Sequence, residues 1–324
     1  MRALSVIAAL TLLAAPASAQ ETVRLSFDWP AGLRGTVITT SSQTSGAMGM
    51  NMSQGYVISQ RIETESHPEG LLVRYRDGEL VEMTGDMLTG AAGADGFMRA
   101  TAEAGYDMIV DDDGVLVRVE RDSVSIAELR AAMEEMVGTL GGSAEASGGM
   151  GGMLEGMLSD DALNAQIEQS WAQMVGSWVQ DGFTFGEAVA SREEAPFPLM
   201  QNRSLLMDKA TTIRERVPCF DGGAADQCVL VVVETSIDPE NMRQMMDEML
   251  GQTLGGMSAD VDLELELGAF EQTMVTETIL DPNTMLPFST TFTTVVDMEM
   301  TIMGQTMPSQ QEMSVTTEYA WENR

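Results

Sequence analysis

Apolar and polar residues alternate with a period of two along much of this chain, and this alternation restricts the fold more than any other feature. Val23, Leu25, Phe27 and Trp29 form the first such series. Successive side chains of a β-strand point to opposite faces of a sheet, so each series predicts a strand with one buried face. Four more series of this kind lie at residues 71–75, 115–119, 261–267 and 313–321.

Turn-forming sequences separate the predicted strands. Asp77-Gly78 is expected to divide residues 71–76 from 79–83, and Asp113-Gly114 to divide 106–110 from 115–119. The sequence Asp-Pro-Asn at 281–283 interrupts two long apolar runs near the end of the chain. Asp-Gly and Pro-Asn sequences are typical of the tight turns that join antiparallel strands. The sequence therefore predicts a series of antiparallel hairpins.

Three segments have a helical period instead. The first begins with a capping box made by Ser125 and Glu128, the second begins near Asp160, and the third has Asp238 as its N-cap and Pro239 in its first turn. Each helix has one apolar face and must pack against another apolar surface. The predicted fold class is α+β, a large antiparallel and curled β-sheet of many hairpins with about three amphipathic helices packed on it. The apolar residues of the three helices are Ile126, Leu129, Met133, Met136, Val137 and Leu140; Leu163, Ile167, Trp171, Met174, Val175 and Trp178; and Met242, Met245, Met246, Met249 and Leu250.

Residues 1–19 have the three parts of a cleavable secretory signal peptide. Arg2 supplies a positive charge, residues 3–15 form an apolar run, and Ala17-Ser18-Ala19 fits the pocket of a signal peptidase, so cleavage is expected before Gln20. The run is shorter than the roughly 20 residues that span a bilayer, which argues against a membrane anchor. Gln20 also lacks the thiol that carries the lipid of a bacterial lipoprotein. We expect a protein of the periplasm or the extracellular space, with no membrane span after cleavage.

The remaining chain divides at a segment without any periodic pattern. Residues 141–158 are rich in Gly, Ser and Met and are predicted to be a flexible connector. Residues 20–140 would then form a β-meander with one amphipathic helix. Residues 159–324 would contain a helix, a disulfide-closed hairpin, the Met-rich helix and long hairpins. Whether the two parts are separate domains or one continuous domain stays open at this stage.

The charge of the chain excludes one class of partner. Asp and Glu number 50 against 17 Lys and Arg, which gives a formal net charge of −33. Such a surface repels the phosphates of nucleic acids and the headgroups of anionic membranes. We therefore expect no nucleic-acid partner.

The two cysteines are predicted to form a structural disulfide. Cys219 and Cys228 are the only cysteines, and an even pair in an exported chain is typical of a disulfide. Strand-like segments flank them at residues 210–217 and 229–237, so the bridge would close the end of a hairpin. A redox-active dithiol would need a closer Cys-x-x-Cys spacing.

The sequence has no recognisable catalytic motif. His67 is the only histidine and Lys209 the only lysine, so Ser-His-Asp, Cys-His and His-rich zinc sites cannot be built from one chain. Phosphate-binding and dinucleotide-binding glycine motifs are missing as well. We expect a protein that is not an enzyme and that needs no cofactor.

Methionine is the compositional outlier, with 28 residues against 9 Phe. Its thioether can fill irregular apolar cavities and can also bind Cu(I). Met48, Met50 and Met52 lie in a sequence rich in Gly, Ser and Thr and are the candidate Cu(I) ligands. The candidate residues for an apolar ligand are on the two later helices: Met242, Met245, Met246, Met249, Trp171 and Trp178.

The order of these features resembles a known type of exported protein. An export signal, amphipathic helices on long antiparallel strands and a closing series of hairpins are similar to the half-barrel carriers of the lipoprotein-carrier type. The sequence Gly-Phe-Thr-Phe-Gly at 182–186, which follows a Trp-bearing helix and precedes the Cys219 hairpin, also resembles uncharacterised exported bacterial families. The resemblance implies an apolar cavity between sheet and helices that holds acyl chains. No binding residue of this chain can be assigned from the resemblance.

Three functions follow from these features. The first is binding of an apolar small molecule or lipid by an exported, non-catalytic protein of the cell envelope. The first alternative is an interaction module whose ligand is another envelope protein. The second alternative is Cu(I) binding by the Met48 segment.

Overall fold

The computed structural model describes residues 21–47, 50–85, 94–121, 123–139, 159–176, 182–196, 204–245, 248, 265–302 and 305–322. Most of these residues lie in strands. The strands are β1 Thr22–Val23, β2 Arg34–Ala47, β3 Met50–His67, β4 Gly70–Thr84, β5 Tyr106–Val110, β6 Leu116–Arg121, β7 Phe183–Thr184, β8 Ala188–Pro196, β9 Ser204–Val217, β10 Cys228–Ile237, β11 Leu265–Leu280, β12 Pro287–Ile302 and β13 Gln305–Trp321. The helices are α1 Ala94–Glu103, α2 Ser123–Thr139 and α3 Asp160–Trp171, which continues into a π-helical turn, Ala172–Gly176; residues 239–245 are also helical.

Eleven of these strands form one antiparallel sheet, in the order β6-β5-β4-β3-β2-β13-β12-β11-β10-β9-β8. The chain enters the sheet in the middle at β2 and adds strands outward to one edge at β6. It then crosses to the opposite edge at β8 and returns strand by strand to β13. Because β13 pairs with β2 from Ser309 to Trp321, the two series of hairpins form one open sheet. β1 and β7 form a separate two-stranded sheet.

The sheet has two chemically different faces, as period-two alternation predicts. We call the side that bears Tyr319 and Trp321 the inner face, because both residues contact the hydrophobic core. Residues paired across antiparallel strands share a face, so the register assigns Val37, which pairs with Tyr319, to the same side. The opposite side, which bears Thr36 and Glu318, is the outer face.

The core fills one end of the inner face. Segment 24–33, α3 and the end of β13 meet there around a group of indole rings. Trp29 is 5.4 Å from Trp171 and 5.9 Å from Trp321 between ring centroids. The Trp171 indole N–H donates a hydrogen bond of 2.9 Å to the carbonyl of Gly114, and Trp171 is 2% exposed. These contacts connect the start of the chain, the helix and the last strand.

Most of the predicted elements are present. Gly114 has a φ of 83° in the turn between β5 and β6, and β11 ends directly before Asp281, so both of these predicted turns are confirmed. All three predicted helices begin within two residues of their expected starts. The prediction of a large, curled antiparallel sheet with packed helices is confirmed. The sequence did not predict α1.

The predicted turn at Asp77-Gly78 is wrong, because β4 runs through it. Asp77 has a φ of 50°, and the pairing of β3 with β4 shifts register between residues 57 and 58 and again between residues 59 and 61, which are the features of β-bulges. A Cβ at Gly78 would overlap the carbonyl oxygen of Ala102 at the end of α1. The glycine therefore allows a helix to approach the bulged strand closely.

The predicted strand at 23–29 is present only at its start. β1 pairs with β7 through Thr22 and Val23, and residues 24–33 are not strand. Val23, Leu25 and Trp29 are nevertheless buried, as the alternation requires, because this extended segment crosses the core instead of joining the sheet. The signal peptide, the 141–158 connector and most of the 261–267 series lie outside the described residues.

Three tyrosines in or beside the core make the stability of the protein sensitive to alkaline pH. Tyr75 stacks on Tyr106 with centroids 4.8 Å apart, and Tyr319 stacks on Trp321. Burial raises the pKa of Tyr106 to about 12, and it also raises the pKa of Tyr75 and of Tyr319. A buried phenolate loses its hydration, so the folded chain keeps these protons at a pH where the unfolded chain releases them.

We expect the free energy of unfolding to fall as the pH rises through 10 toward 12. Unfolded tyrosine ionises near pH 10, so unfolding then releases protons and is favoured at higher pH. Tyr106 alone would contribute about 2 kcal/mol over this interval. Urea unfolding at pH 8, 10 and 11 measures the effect, and Tyr106→Phe should make the fall shallower. Unchanged stability up to pH 11 would contradict this account.

Candidate functional site

Beyond the core, cross-strand register arranges the inner-face residues in rows across the sheet. One row consists of Thr39, Thr317, Thr290 and Thr278 on β2, β13, β12 and β11. The hydroxyl oxygens of Thr39 and Thr317 are 3.4 Å apart, as are those of Thr278 and Thr290. This threonine row borders the core, and the remaining inner face continues beyond it.

That remaining part of the inner face mixes apolar with polar side chains. Its apolar side chains are half-buried, apart from Ile237, which is buried, and Met52, which is 45% exposed. Thioether, aromatic and branched aliphatic groups adjoin one another on β10–β13, whereas Ser41, Gln43 and Ser45 of β2 separate them from those of β3. We call this surface the apolar panel; its residues are Met52 and Tyr56 on β3, Met313 and Val315 on β13, Phe292, Val296 and Met298 on β12, Phe270 and Met274 on β11, and Ile237 on β10.

Charge is distributed very unevenly between the two faces. Among the side chains that the structure describes on β2, β3 and β10–β13, the inner face bears no charged residue. Five of these six strands, all except β2, carry acidic side chains on the outer face. Those acids are Glu63, Glu65, Glu234, Glu271, Glu277, Asp297, Glu299, Glu312 and Glu318. In a chain with 50 acidic residues, the inner face is thus the surface suited to contact with apolar groups.

One polar group on this face has no partner among the residues that the structure describes. Thr294 lies between Met313 and Met274 on the neighbouring strands and is 8% exposed. Its hydroxyl is buried and makes no hydrogen bond with any of them. An unpaired buried hydroxyl costs free energy that folding must offset elsewhere, and such groups are uncommon in folded proteins.

Thr294→Val should therefore not destabilise the protein. Valine has nearly the same shape as threonine, and the change removes a buried polar group that has no partner. We expect the free energy of unfolding to rise by up to about 1 kcal/mol, measured by urea denaturation. Thr64→Val provides the contrast: the Thr64 hydroxyl accepts a hydrogen bond from Leu33 N–H and donates one to the Pro30 carbonyl, so its removal should cost about 1 to 3 kcal/mol. Equal losses in both variants would contradict the assignment of Thr294 as unpaired.

Those predicted ligand-binding residues of the helices that the structure describes lie in two places. Met242 and Met245 are buried, with exposures of 6% and 3%, on the helical residues 239–245. Asp238 is the N-cap of this helix; hydrogen bonds from the backbone N–H of Asn241 and the Arg192 side chain lower the pKa of its carboxyl group. Trp171 is packed in the core as described above. Met246, Met249 and Trp178 are outside the residues whose side chains the structure describes.

Two of the three predicted copper ligands, Met50 and Met52, lie in a strand. β2 extends to Ala47, which pairs with Met50 at the start of β3. Met52 follows in β3 with its side chain exposed, and Met48 is outside the described residues. The described residues contain no group of three His, Cys, Asp or Glu side chains placed to hold a metal ion.

The remaining predicted residues have structural contacts. Cys219 and Cys228 form a disulfide that closes the β9–β10 hairpin, which confirms that prediction. His67 Nδ1 accepts a hydrogen bond of 3.2 Å from the backbone N–H of Glu69 in the β3–β4 turn. Within the described residues, no helix is long and apolar enough to cross a membrane.

Comparison with known proteins gives a distant structural likeness. No family model matches the chain, and no curated protein matches it. The solved structure described as lipid–protein interactions in lipovitellin is similar over 91% of this chain and 26% of its own, with 8% identity and a TM-score of 0.40. This chain thus spans about a quarter of that one's length. A likeness this distant says nothing about what the chain binds, and the resemblance to exported half-barrel carriers stays a prediction.

Proposed function

We propose that this protein is an exported, non-catalytic binding protein of the periplasm that holds an apolar or lipid-like ligand on the apolar panel. The observation that carries the proposal is the absence of charge from the described inner face of six central strands, in a chain whose outer face is acidic. The disulfide and the signal-like sequence at 1–19 support export, because disulfides persist in oxidising compartments.

The physical basis is the half-exposed state of the panel. Most of its side chains are half-buried, whereas those of a finished core are fully buried and isolated surface residues are exposed. Each further Å² of apolar surface that a ligand removes from water is worth about 25 cal/mol. Methionines such as Met274, Met298 and Met313 adapt their shape, so the panel can accommodate flexible alkyl chains. Polar residues such as Gln43, Gln272 and Gln311 lie among them, and uncharged polar groups of this kind can orient a ligand in a small-molecule site.

Edge pairing with another protein is less well supported. The edge strand β8 carries Arg192, Glu193 and Glu194 in succession and ends at Pro196. Charged residues and proline on an edge strand are features that oppose the addition of a further strand. The apolar panel therefore remains the better-supported site.

Two measurements on the exported, purified protein test the proposal. Organic extraction followed by mass spectrometry should recover lipid, and native mass spectrometry should show a corresponding mass increase on the folded chain. After delipidation, the neutral probe N-phenyl-1-naphthylamine should bind saturably with a blue-shifted emission. Absence of both bound lipid and saturable probe binding would overturn the proposal.

A further inference from the structure

Lys209 occupies an unusual position beside the apolar panel. It is the only lysine of the chain and lies on β9, paired with Thr235 and Ser191. The register assigns it to the inner face, in the same row as Thr294. Its side chain is only 12% exposed. Lysine is among the residues least often buried, because transfer of an ammonium group out of water is costly unless the charge is compensated.

Within the described chain, the positive charge of Lys209 is only weakly compensated. The only polar partner of Lys209 there is Glu193, with Nζ and Oε1 3.5 Å apart. Glu193 is 48% exposed, and its Oε1 also lies 3.4 Å from the Ser191 hydroxyl. An ammonium group has three N–H donors, and its hydrogen bonds to carboxylates normally measure about 2.7 to 2.9 Å. Lys209 thus has spare donor capacity facing an otherwise uncharged surface.

The neighbouring cations have a different arrangement. Arg192 on β8 and Arg214 on β9 are half-exposed and pair with acids of the outer face or its rim. They are available to solvent, and each pairs with two acids. Of the charged side chains described on β8–β13 beyond the core, only Lys209 and Glu193 lie on the inner face.

We propose that Lys209 binds the anionic headgroup of a long-chain amphiphile, a carboxylate or a phosphate, while the chain of that ligand lies on the apolar panel. This inference rests on the proposed function and specifies its ligand class. The headgroup oxygens supply the close acceptors that the ammonium lacks. The acids of the outer face lie on the opposite side of the sheet, and salt screens the repulsion between solvent-exposed charges that are more than about 8 Å apart.

The test compares three ligands that share one chain: dodecanoate, dodecyl phosphate and dodecanol. Each ligand is titrated, below the concentration at which it forms micelles or separates from solution, against N-phenyl-1-naphthylamine bound to the delipidated whole protein. Displacement of the probe gives the affinity of each ligand. We expect at least one of the anions to bind about tenfold or more tightly than dodecanol, which is typical of one charge-assisted hydrogen bond. The anion with the higher affinity identifies the headgroup.

Variants test whether the preference for anions depends on Lys209. Lys209→Met keeps the unbranched shape and should bring anion affinity down to that of dodecanol, with dodecanol binding unchanged. Lys209→Arg and the outer-face control Arg192→Met should both retain the preference. Glu193→Gln removes the competing carboxylate and should tighten anion binding several-fold, a gain that damage to the fold would not produce.

Several results would overturn the inference. Equal affinity for all three ligands, or an anion preference that survives in Lys209→Met, would refute the role of Lys209 while leaving the apolar site intact. Looser anion binding in Glu193→Gln would refute it too. Failure of all three ligands to displace the probe, or failure of the probe to bind, would overturn the proposed function and this inference together.

Discussion

Trp171→Ala is expected to lower the free energy of unfolding by about 3 to 5 kcal/mol, because it truncates one of the largest fully buried side chains of the core. The indole is 2% exposed and contacts Phe27 and Trp29 edge to face. Its removal leaves a large cavity where segment 24–33, α3 and β13 meet. It also leaves the Gly114 carbonyl without the 2.9 Å hydrogen bond that it accepts from the indole N–H.

Two further variants separate these contributions. Trp171→Phe retains an aromatic ring and loses the hydrogen bond, so it should cost clearly less than the alanine variant. Phe220→Ala is a control for loss of an aromatic ring at a site that is 57% exposed, and it should cost less than about 1 kcal/mol. Urea unfolding measures all three. A loss below about 1 kcal/mol for Trp171→Ala would show that the indole cluster does not hold the core together.

Val296→Glu is expected to weaken binding of the neutral probe by a factor of roughly 10 to 100, because a ligand on the panel would have to desolvate a carboxylate. Val296 lies on the inner face and its neighbour Val295 on the outer face of the same strand. Both are valines and both are half-buried. Val295→Glu is therefore a matched control, which should keep the probe affinity of the unmodified protein.

The control variant Val295→Glu is itself expected to be somewhat destabilised. Val295 pairs directly with Glu312, so a second carboxylate there adds like-charge repulsion of about 0.2 to 1 kcal/mol. If reduced stability were enough to abolish binding, the Val295 variant would lose it as well. Probe titration and thermal unfolding of both variants distinguish the two effects. Equal loss of binding in both, or full binding in Val296→Glu, would show that the panel is not the binding surface.

The sequence predicted most of the helices and strands, but it did not distinguish a turn from a bulge at the Asp-Gly pairs. Asp-Gly suits a hairpin turn and a β-bulge equally well, since both need a residue with positive φ. At residues 113–114 it makes a turn, and at 77–78 it makes a bulge. The difference comes from the packing of α1 on β4, which the sequence around Asp77 does not encode. α1 itself was missed because its sequence has a glycine near the start and only a short apolar pattern.

The candidate site was predicted less well than the fold. Sequence reasoning concentrated on methionines of the helices, whereas the panel consists of strand residues brought together by register. A signal for it was present in β12, where Asp297 and Glu299 alternate with Val296 and Met298. Only the strand order shows that β10–β13 place such residues side by side. Lys209 was identified as the single lysine, but the sequence alone did not show that it lies on the inner face with a side chain only 12% exposed.

The position of β13 beside β2 also has a consequence for how the chain folds. Thr39 and Thr317 touch across this junction although 278 residues separate them in the sequence. Contacts between such distant residues carry a high entropic cost of loop closure and slow the folding reaction. Until the end of the chain arrives, β2 presents an unpaired edge that other chains can join. The interval between synthesis and completion of the sheet is therefore when this protein is most open to aggregation, and most in need of a chaperone.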